Sequence, residues 1–325
     1  MAGPEGPALH LVAQLFALSP TMARSYRYLH YDVFTDRLFG GNQLAVVLDG
    51  RGLAANDMQA IAKEMNFSET TFILPPEQRG TDFRLRIFTP GAELPMAGHP
   101  TIGSAFALAR AGVLEPARKD FVFGLGVGPT PVALTWRSSD LSFASMTQRL
   151  PVFSKAIADP AGAARALGLP PAAVAGADLP VQVVSCGLPY LLIPLATRRA
   201  VDNAASNPQA IDTFFRDAGV DASGVFLFSQ ERGGDKATVY SRMFAPDLGV
   251  AEDPATGSAS GPLGCYLVRH KVVAPAKAGA ILNLQGVKMG RPSHVHVSIG
   301  VEKGDIISVR VGGEAVLAGE GTLYI

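Results

Sequence analysis

The sequence predicts an α+β fold of two pseudo-symmetric halves, each a curved, mostly antiparallel sheet wrapped around a central helix. Composition comes first: 325 residues with 48% hydrophobic and 17% charged side chains describe a well-packed globular protein of about two domains, not a disordered one. The 35 Gly and 24 Pro are spread along the chain, as turn punctuation for many short elements. The third observation is an internal repeat. Segment 86–90 (RIFTP) recurs as 242–246 (RMFAP), and 93–98 (ELPMAG) recurs as 252–257 (EDPATG), at nearly one offset. Both copies run into small-residue segments with the character of packed helices, so each unit reads as strand, Pro/Gly loop, helix.

In chain order, residues 1–21 are expected to be a disordered extension. Their apolar run Leu9 to Leu18 is shorter than the roughly 20 residues a bilayer span needs. With Glu5 before it and no Lys or Arg, it is also a poor signal peptide. The halves are then expected at 22–140 and 141–325, with the C-terminal strand able to return to the first. Strands are expected at 28–34, 44–48, 71–74 and 83–88, with a helix at 56–65. Further strands follow at 121–123, 132–136, 181–184, 190–193, 224–228, 238–244, 295–299 and 307–311, with helices at 160–167 and 208–218. The apolar stretch 181–195 is broken by Gly187 and Pro189, so it reads as two buried strands and a turn. The helices after Gly98 and Gly257 are the natural occupants of the two cores.

Several functions are excluded. Lys+Arg and Asp+Glu are equal at 28 each, which leaves no basic excess for nucleic acid. Cys186 and Cys265 are the only cysteines, too few for a disulfide framework or a four-Cys zinc site, and a reducing, cytoplasmic setting is the expectation. Gly124, Gly126 and Gly128 follow a strand, but Pro129 stands where a dinucleotide loop needs its third glycine. The 257–261 segment (GSASG) has Ala259 at the place of a hydrolase's nucleophile. His294 and His296 share a strand face without the further ligands that a metal needs. No membrane partner and no cofactor are expected.

The remaining polar residues mark a candidate site. Two helix N-termini facing one cleft would present N–H groups carrying about half a positive charge each, suited to a small carboxylate or an enolate formed from one. Glu69 stands at the head of an apolar strand, where burial would raise its pKa toward the range useful for proton transfer; a solvated edge carboxylate is the plain alternative. His99 follows Gly98 at the helix start, as a site residue or a mere cap. Asp253 occupies the matching loop, again as a site residue or a capping carboxylate. Ser258 stands at the place of His99 in the repeat, to donate a hydrogen bond or to cap. Glu93 and Glu252, with Arg86 and Arg242, occur in both copies and read as loop braces.

These residues resemble those of a known family. Segments 40–42 (GGN), 65–72 (MNFSETTF), 88–90 with 93–95, 97–100 (AGHP), 252–259, 285–286 and 290–293 (GRPS) are similar to the phenazine biosynthesis PhzF-like family over about residues 28–325. The resemblance implies a diaminopimelate-epimerase-like fold, with the site between the halves and commonly a homodimer. It assigns the general acid/base to Glu69 and substrate binding to His99 and Asp253. The backbone N–H donors for the substrate carboxylate fall on Gly98, Gly257 and Ser258. One departure is Gln43, where the family usually carries Pro. Fold relatives that racemise with two cysteines would place them at Ala97 and Thr256, so that chemistry is closed to this chain. The implied activity is a cofactor-independent isomerisation of a small carboxylate such as trans-2,3-dihydro-3-hydroxyanthranilate. The alternatives are an isomerase or epimerase-like enzyme for another amino or unsaturated carboxylate, or a non-catalytic small-molecule binder.

Overall fold

The computed structural model describes residues 24–175, 177–246 and 249–325; the extension expected over residues 1–21 lies outside them. Strand β1 (Ser25–Val33) is antiparallel to β2 (Asn42–Val47). Helix α1 (Ala55–Met65) crosses over, and β3 (Glu69–Leu74) returns parallel to β2. Next, β4 (Phe83–Phe88) runs antiparallel to β3 and to the short β5 (Glu93–Leu94). Helix α2 (Gly98–Arg110) leads to β6 (Asp120–Leu125), parallel to β4, and β7 (Gly128–Arg137) and β8 (Asp140–Gln148) follow as antiparallel neighbours.

The next stretch follows the same order. After β9 (Val152–Ala156), α3 (Pro160–Ala166) and α4 (Ala172–Ala175), β10 (Gln182–Ser185) is antiparallel to β11 (Pro189–Pro194). Helices α5 (Arg198–Asn203) and α6 (Pro208–Ala218) cross over to β12 (Val225–Ser229), parallel to β11. Strand β13 (Val239–Ala245) is antiparallel to β12 and to β14 (Val250–Asp253). Helix α7 (Gly257–Arg269) leads to β15 (Ile281–Gln285), parallel to β13, and then to antiparallel β16 (Ser293–Glu302) and β17 (Asp305–Gly313). The last strand, β18 (Ala315–Tyr324), pairs with β1, while β9 pairs with β10 and β8 with β17. These links join the described strands into one large sheet network in a mixed α/β protein.

Two helices sit inside it. Every residue from Gly98 to Leu108 in α2 and from Gly257 to Leu267 in α7 is buried, as expected of helices that are small or apolar on all sides. Helix α2 packs on β1, β2, β3 and β8, and α7 on β10, β11, β16 and β17. Their N-termini meet: a Cβ on Gly98 would lie 2.5 Å from Gly257 Cα, so only glycine lets the two backbones come this close. The repeated Arg and Glu residues do brace their loops, Arg86 gripping Glu93 and Arg242 gripping Glu252 through paired bonds of 2.6–2.8 Å.

The expected strands and helices appear with ends moved by a few residues, and the helix at 208–218 matches. Strands β5, β8, β9, β14 and β15 were not foreseen, nor were the bounds of the C-terminal β18. In β8 the pairing with β7 slips between Thr135 and Trp136, so Leu141 and buried Ala144, three residues apart, stand opposite Trp136 and Leu134, which are two apart. Such a bulge breaks the two-residue alternation by which a strand is recognised. A similar slip opposite His30 interrupts β18.

Candidate active site

The two helix starts form one end of a cavity of about 30 Å³, room for roughly two water molecules. Glu69, Gly98, His99, Asp253, Gly257 and Ser258 all line it. Sequence reasoning named these six from two distant parts of the chain, and the structure brings them together. Glu69, the first residue of β3, is only 12% exposed and turns inward, which removes the solvated-edge reading. Its Oε2 stands 3.2 Å from His99 Nε2, yet both atoms are buried without a hydrogen-bond partner among the described residues. His99 caps nothing, for α2 has no side-chain cap; its Nδ1 lies 3.0 Å from Asn42 Nδ2.

Asp253 is no helix cap either. Its Oδ1 accepts from Asn42 Nδ2 at 2.7 Å and its Oδ2 from the Thr256 hydroxyl at 2.5 Å. Gln285 fixes this loop, accepting from Thr256 N and donating to the Asp253 carbonyl. Ser258 Oγ pairs with the Tyr190 hydroxyl at 2.7 Å. Neither central helix has an acidic residue in its first turn or a side-chain cap, so N–H groups of both starts remain free to receive an anion. The rest of the wall is largely apolar, with Leu94, Met96, Leu188, Met243 and Val250.

Burial governs the charges. It lifts the Glu69 carboxyl well above the usual range, and the neighbouring Asp253 charge adds to this. Burial also pushes Asp253 up to about 6, against hydrogen bonds from Thr256, Asn42 and Ser68. The His99 imidazole is pushed down to about 3 and is neutral at physiological pH. Burial likewise raises the Tyr190 phenol, which stays protonated. The site thus holds a carboxyl that keeps its proton well above the usual carboxylate range, a second that ionises near 6 and a neutral imidazole side by side.

Comparison with known proteins fits this arrangement. The profile of phenazine biosynthesis-like proteins matches residues 31–321. The chain belongs to this PhzF-like family. It is 38% identical to a protein of Mesorhizobium japonicum named as an isomerase, over 92% of this chain and 98% of that one. It is 34% identical to the trans-2,3-dihydro-3-hydroxyanthranilate isomerase of Pseudomonas aeruginosa, over 92% of this chain and all of that one. A PhzF-family crystal structure from Bacillus anthracis superimposes with a TM-score of 0.80 at 27% identity, covering 93% of this chain and all of that one. The PhzF-like chain is accordingly an enzyme of the isomerase class.

Sequence reasoning missed Tyr190, and it quoted Asn42, Thr256 and Gln285 without a part in the site. Tyr190 lies on β11, buried along nearly all its length, where no alternation distinguishes a cavity-facing residue from a core one. Asn42 follows Gly40 and Gly41, a turn signal that says nothing of its partners. Cys186 and Cys265 are buried with sulfurs 3.8 Å apart, and neither lines the cavity. Among the described residues no group of three or more His, Cys, Asp or Glu gathers as metal ligands would, and no helix is long and apolar enough to cross a membrane.

Proposed function

We propose that this PhzF-like protein is a cofactor-independent isomerase that moves a proton between carbons of a small carboxylate such as trans-2,3-dihydro-3-hydroxyanthranilate. The observation that carries the reading is the pair Glu69 Oε2 and His99 Nε2, buried, unpartnered and facing one cavity between two uncapped helix starts. Buried polar atoms without partners are uncommon, and here a ligand would supply them. The substrate carboxylate sits on the N–H groups of Gly98, Gly257 and Ser258. Asp253 and His99 orient its amino and hydroxyl groups, and the apolar wall receives the ring.

Glu69 does the chemistry. Its pKa, raised by burial, lets one carboxyl both take a proton and return it near neutral pH, worth roughly two to four powers of ten in rate. With Ala97 and Thr256 at the two helix caps, no thiol faces the substrate from the opposite side. A single carboxyl returns the proton on the face from which it came, which favours transposition over inversion. Because the cavity is too small for a ring, the halves part to admit substrate and close on it to exclude water.

The division into two pseudo-symmetric halves belongs to the same proposal. It is supported by the pairings of β1 to β8, which recur in order and sense in β10 to β17. The boundary then falls at 149–151, after β8, instead of at 140, and β18 completes the first half as β9 completes the second. Limited proteolysis under native conditions checks this, since cleavage at 149–151 should leave two fragments that stay associated.

The function is tested by incubating the protein with trans-2,3-dihydro-3-hydroxyanthranilate in D2O and following substrate loss and deuterium uptake by NMR. Turnover that falls at least a hundredfold in Glu69→Gln is the expected result. No turnover at millimolar substrate would reject this substrate and move the search to other amino or unsaturated carboxylates. Turnover unchanged in the variant would reject Glu69 as the proton carrier.

A further inference from the structure

Asn42 has no role in the proposed chemistry, yet its side chain touches both the His99 loop and the Asp253 loop. It opens β2 and is 1% exposed. Its Nδ2 lies 3.0 Å from His99 Nδ1, 2.7 Å from Asp253 Oδ1 and 3.0 Å from the Ala255 carbonyl. An amide carries two hydrogens, which the Asp253 carboxylate and the Ala255 carbonyl can take up, while the part played by His99 Nδ1 follows the imidazole tautomer. Turning the amide over would set its oxygen against the Asp253 carboxylate and the Ala255 carbonyl, lone pair against lone pair. The orientation is therefore fixed by chemistry, and Asn42 Oδ1 is left without a partner. A buried acceptor left empty carries a cost, which marks the donor side of this amide as the reason for the residue.

The backbone behind Asn42 is held from the distant C-terminal loop. Arg291 donates to the carbonyls of Gly40 and Gly41 and pairs with Asp32, whose side chain is 2% exposed. Gly41 N in turn donates to the Pro292 carbonyl. A Cβ on Gly41 would lie 2.3 Å from the Val33 carbonyl oxygen, and its φ is +61°, so the turn that delivers Asn42 has no freedom to wander. On the far side of Asp253, Thr256 and Gln285 close the ring of donors.

We propose that Asn42 is a positioning residue that couples the two acid/base loops, holding Asp253 ionised and fixed beside His99 and Glu69 when the halves are closed. The kinetic part rests on the isomerase reading, whereas the electrostatic part does not. The titratable groups facing Asp253 are Glu69, Glu252, Tyr190 and, across the Asn42 amide, His99. Glu69 and Glu252 disfavour the Asp253 charge, so loss of the Asn42 donor leaves only the hydroxyl donors to hold it.

The test is a 13C-carboxyl NMR titration of the full-length protein labelled at aspartate, with Asp253 assigned by its absence in Asp253→Asn. In Asn42→Ala the Asp253 midpoint should rise by about one pH unit. The acid limb of the kcat profile should rise with it, while kcat falls roughly tenfold or more and KM changes less. In Asn42→Asp, which keeps the shape, the two carboxyls should titrate together, and activity should return toward acid pH where residue 42 is a protonated donor. Should Asn42→Ala fail to fold, Asn42→Asp alone decides, through the presence or absence of that joint titration. An Asp253 midpoint unmoved in folded Asn42→Ala, or independent titration in Asn42→Asp, overturns the proposal whether or not the enzyme turns over. A moved midpoint without turnover of any carboxylate leaves the coupling standing and rejects the isomerase reading instead.

Discussion

Glu69 and Val225 open strands that correspond in the pairing of the chain. Glu69 stands opposite Leu44 where β3 runs parallel to β2, and Val225 opposite Leu191 where β12 runs parallel to β11. One position carries a buried carboxyl and the other an aliphatic side chain. His99 and Ser258 are likewise each the second residue of a central helix, one an imidazole facing Glu69 and the other a hydroxyl facing Tyr190. The braces differ too. Arg86 and Glu93 have side chains 15% and 41% exposed, whereas Arg242 and Glu252 are at 7% and 17%. Arg242 also donates to the carbonyls of Val201, Asp202 and Ala204, while the further neighbour of Arg86 is the Met58 sulfur. The same framework therefore carries one-sided chemistry. The buried Glu69 and His99 lie in the part with the open brace, and Asp253 stands directly beside the sealed one.

The largest effect that would break this comparison is on stability. Arg242→Met removes a buried cation that satisfies Glu252 and three carbonyls, and should cost about 3–5 kcal/mol. Arg86→Met removes a partly exposed pair and should cost no more than about 1 kcal/mol. Urea unfolding of the two variants measures the difference. Equal losses would mean that the two braces do the same work and that the burial contrast has no energetic meaning.

How far the sequence could be read follows the same contrast. The braces and both helix starts were legible because the two copies repeat each other, whereas the residues alone left Glu69, His99 and Asp253 open to solvated or capping readings, and only the family resemblance assigned them to a site. What stayed hidden depends on the third dimension. The collision that demands Gly98 arises only when Gly257 is placed against it, and a Gly before a helix otherwise reads as loop punctuation. Asn42 is separated from Asp253 by 211 positions, so no local pattern could connect them. Strand β18 is drawn to β1 by backbone pairing along nearly its whole length, and none of its side chains is fully buried, so no run of core positions marks it as a strand.

A smaller effect sharpens the contrast between the two carboxyls. Native Glu69 holds its proton to higher pH than the unfolded chain does, because burial and Asp253 raise its pKa. Where the native state binds more protons than the unfolded one, stability falls as pH rises. Glu69 therefore lowers stability progressively from the unfolded carboxylate range, about pH 4.3, up through its own native value. Asp253 acts with the same sign, but its loss is complete soon above about 6. His99, pushed down to about 3, works from the other side and lowers stability as pH falls through about 6.5. Glu69→Gln removes the first of these and, by taking away a neighbouring charge, lessens the second. Its Tm should exceed the parent's at pH 8, and the gain should vanish at pH 4, where the parent carboxyl is protonated in both states. Thermal unfolding across pH 4–9 checks this, and a gain of equal size at both ends would show that Gln improves packing and relieves no buried charge. Asp253→Asn should reach its full difference by about pH 7, so the two curves separate the carboxyl that burial holds protonated well above the usual range from the one that ionises near 6.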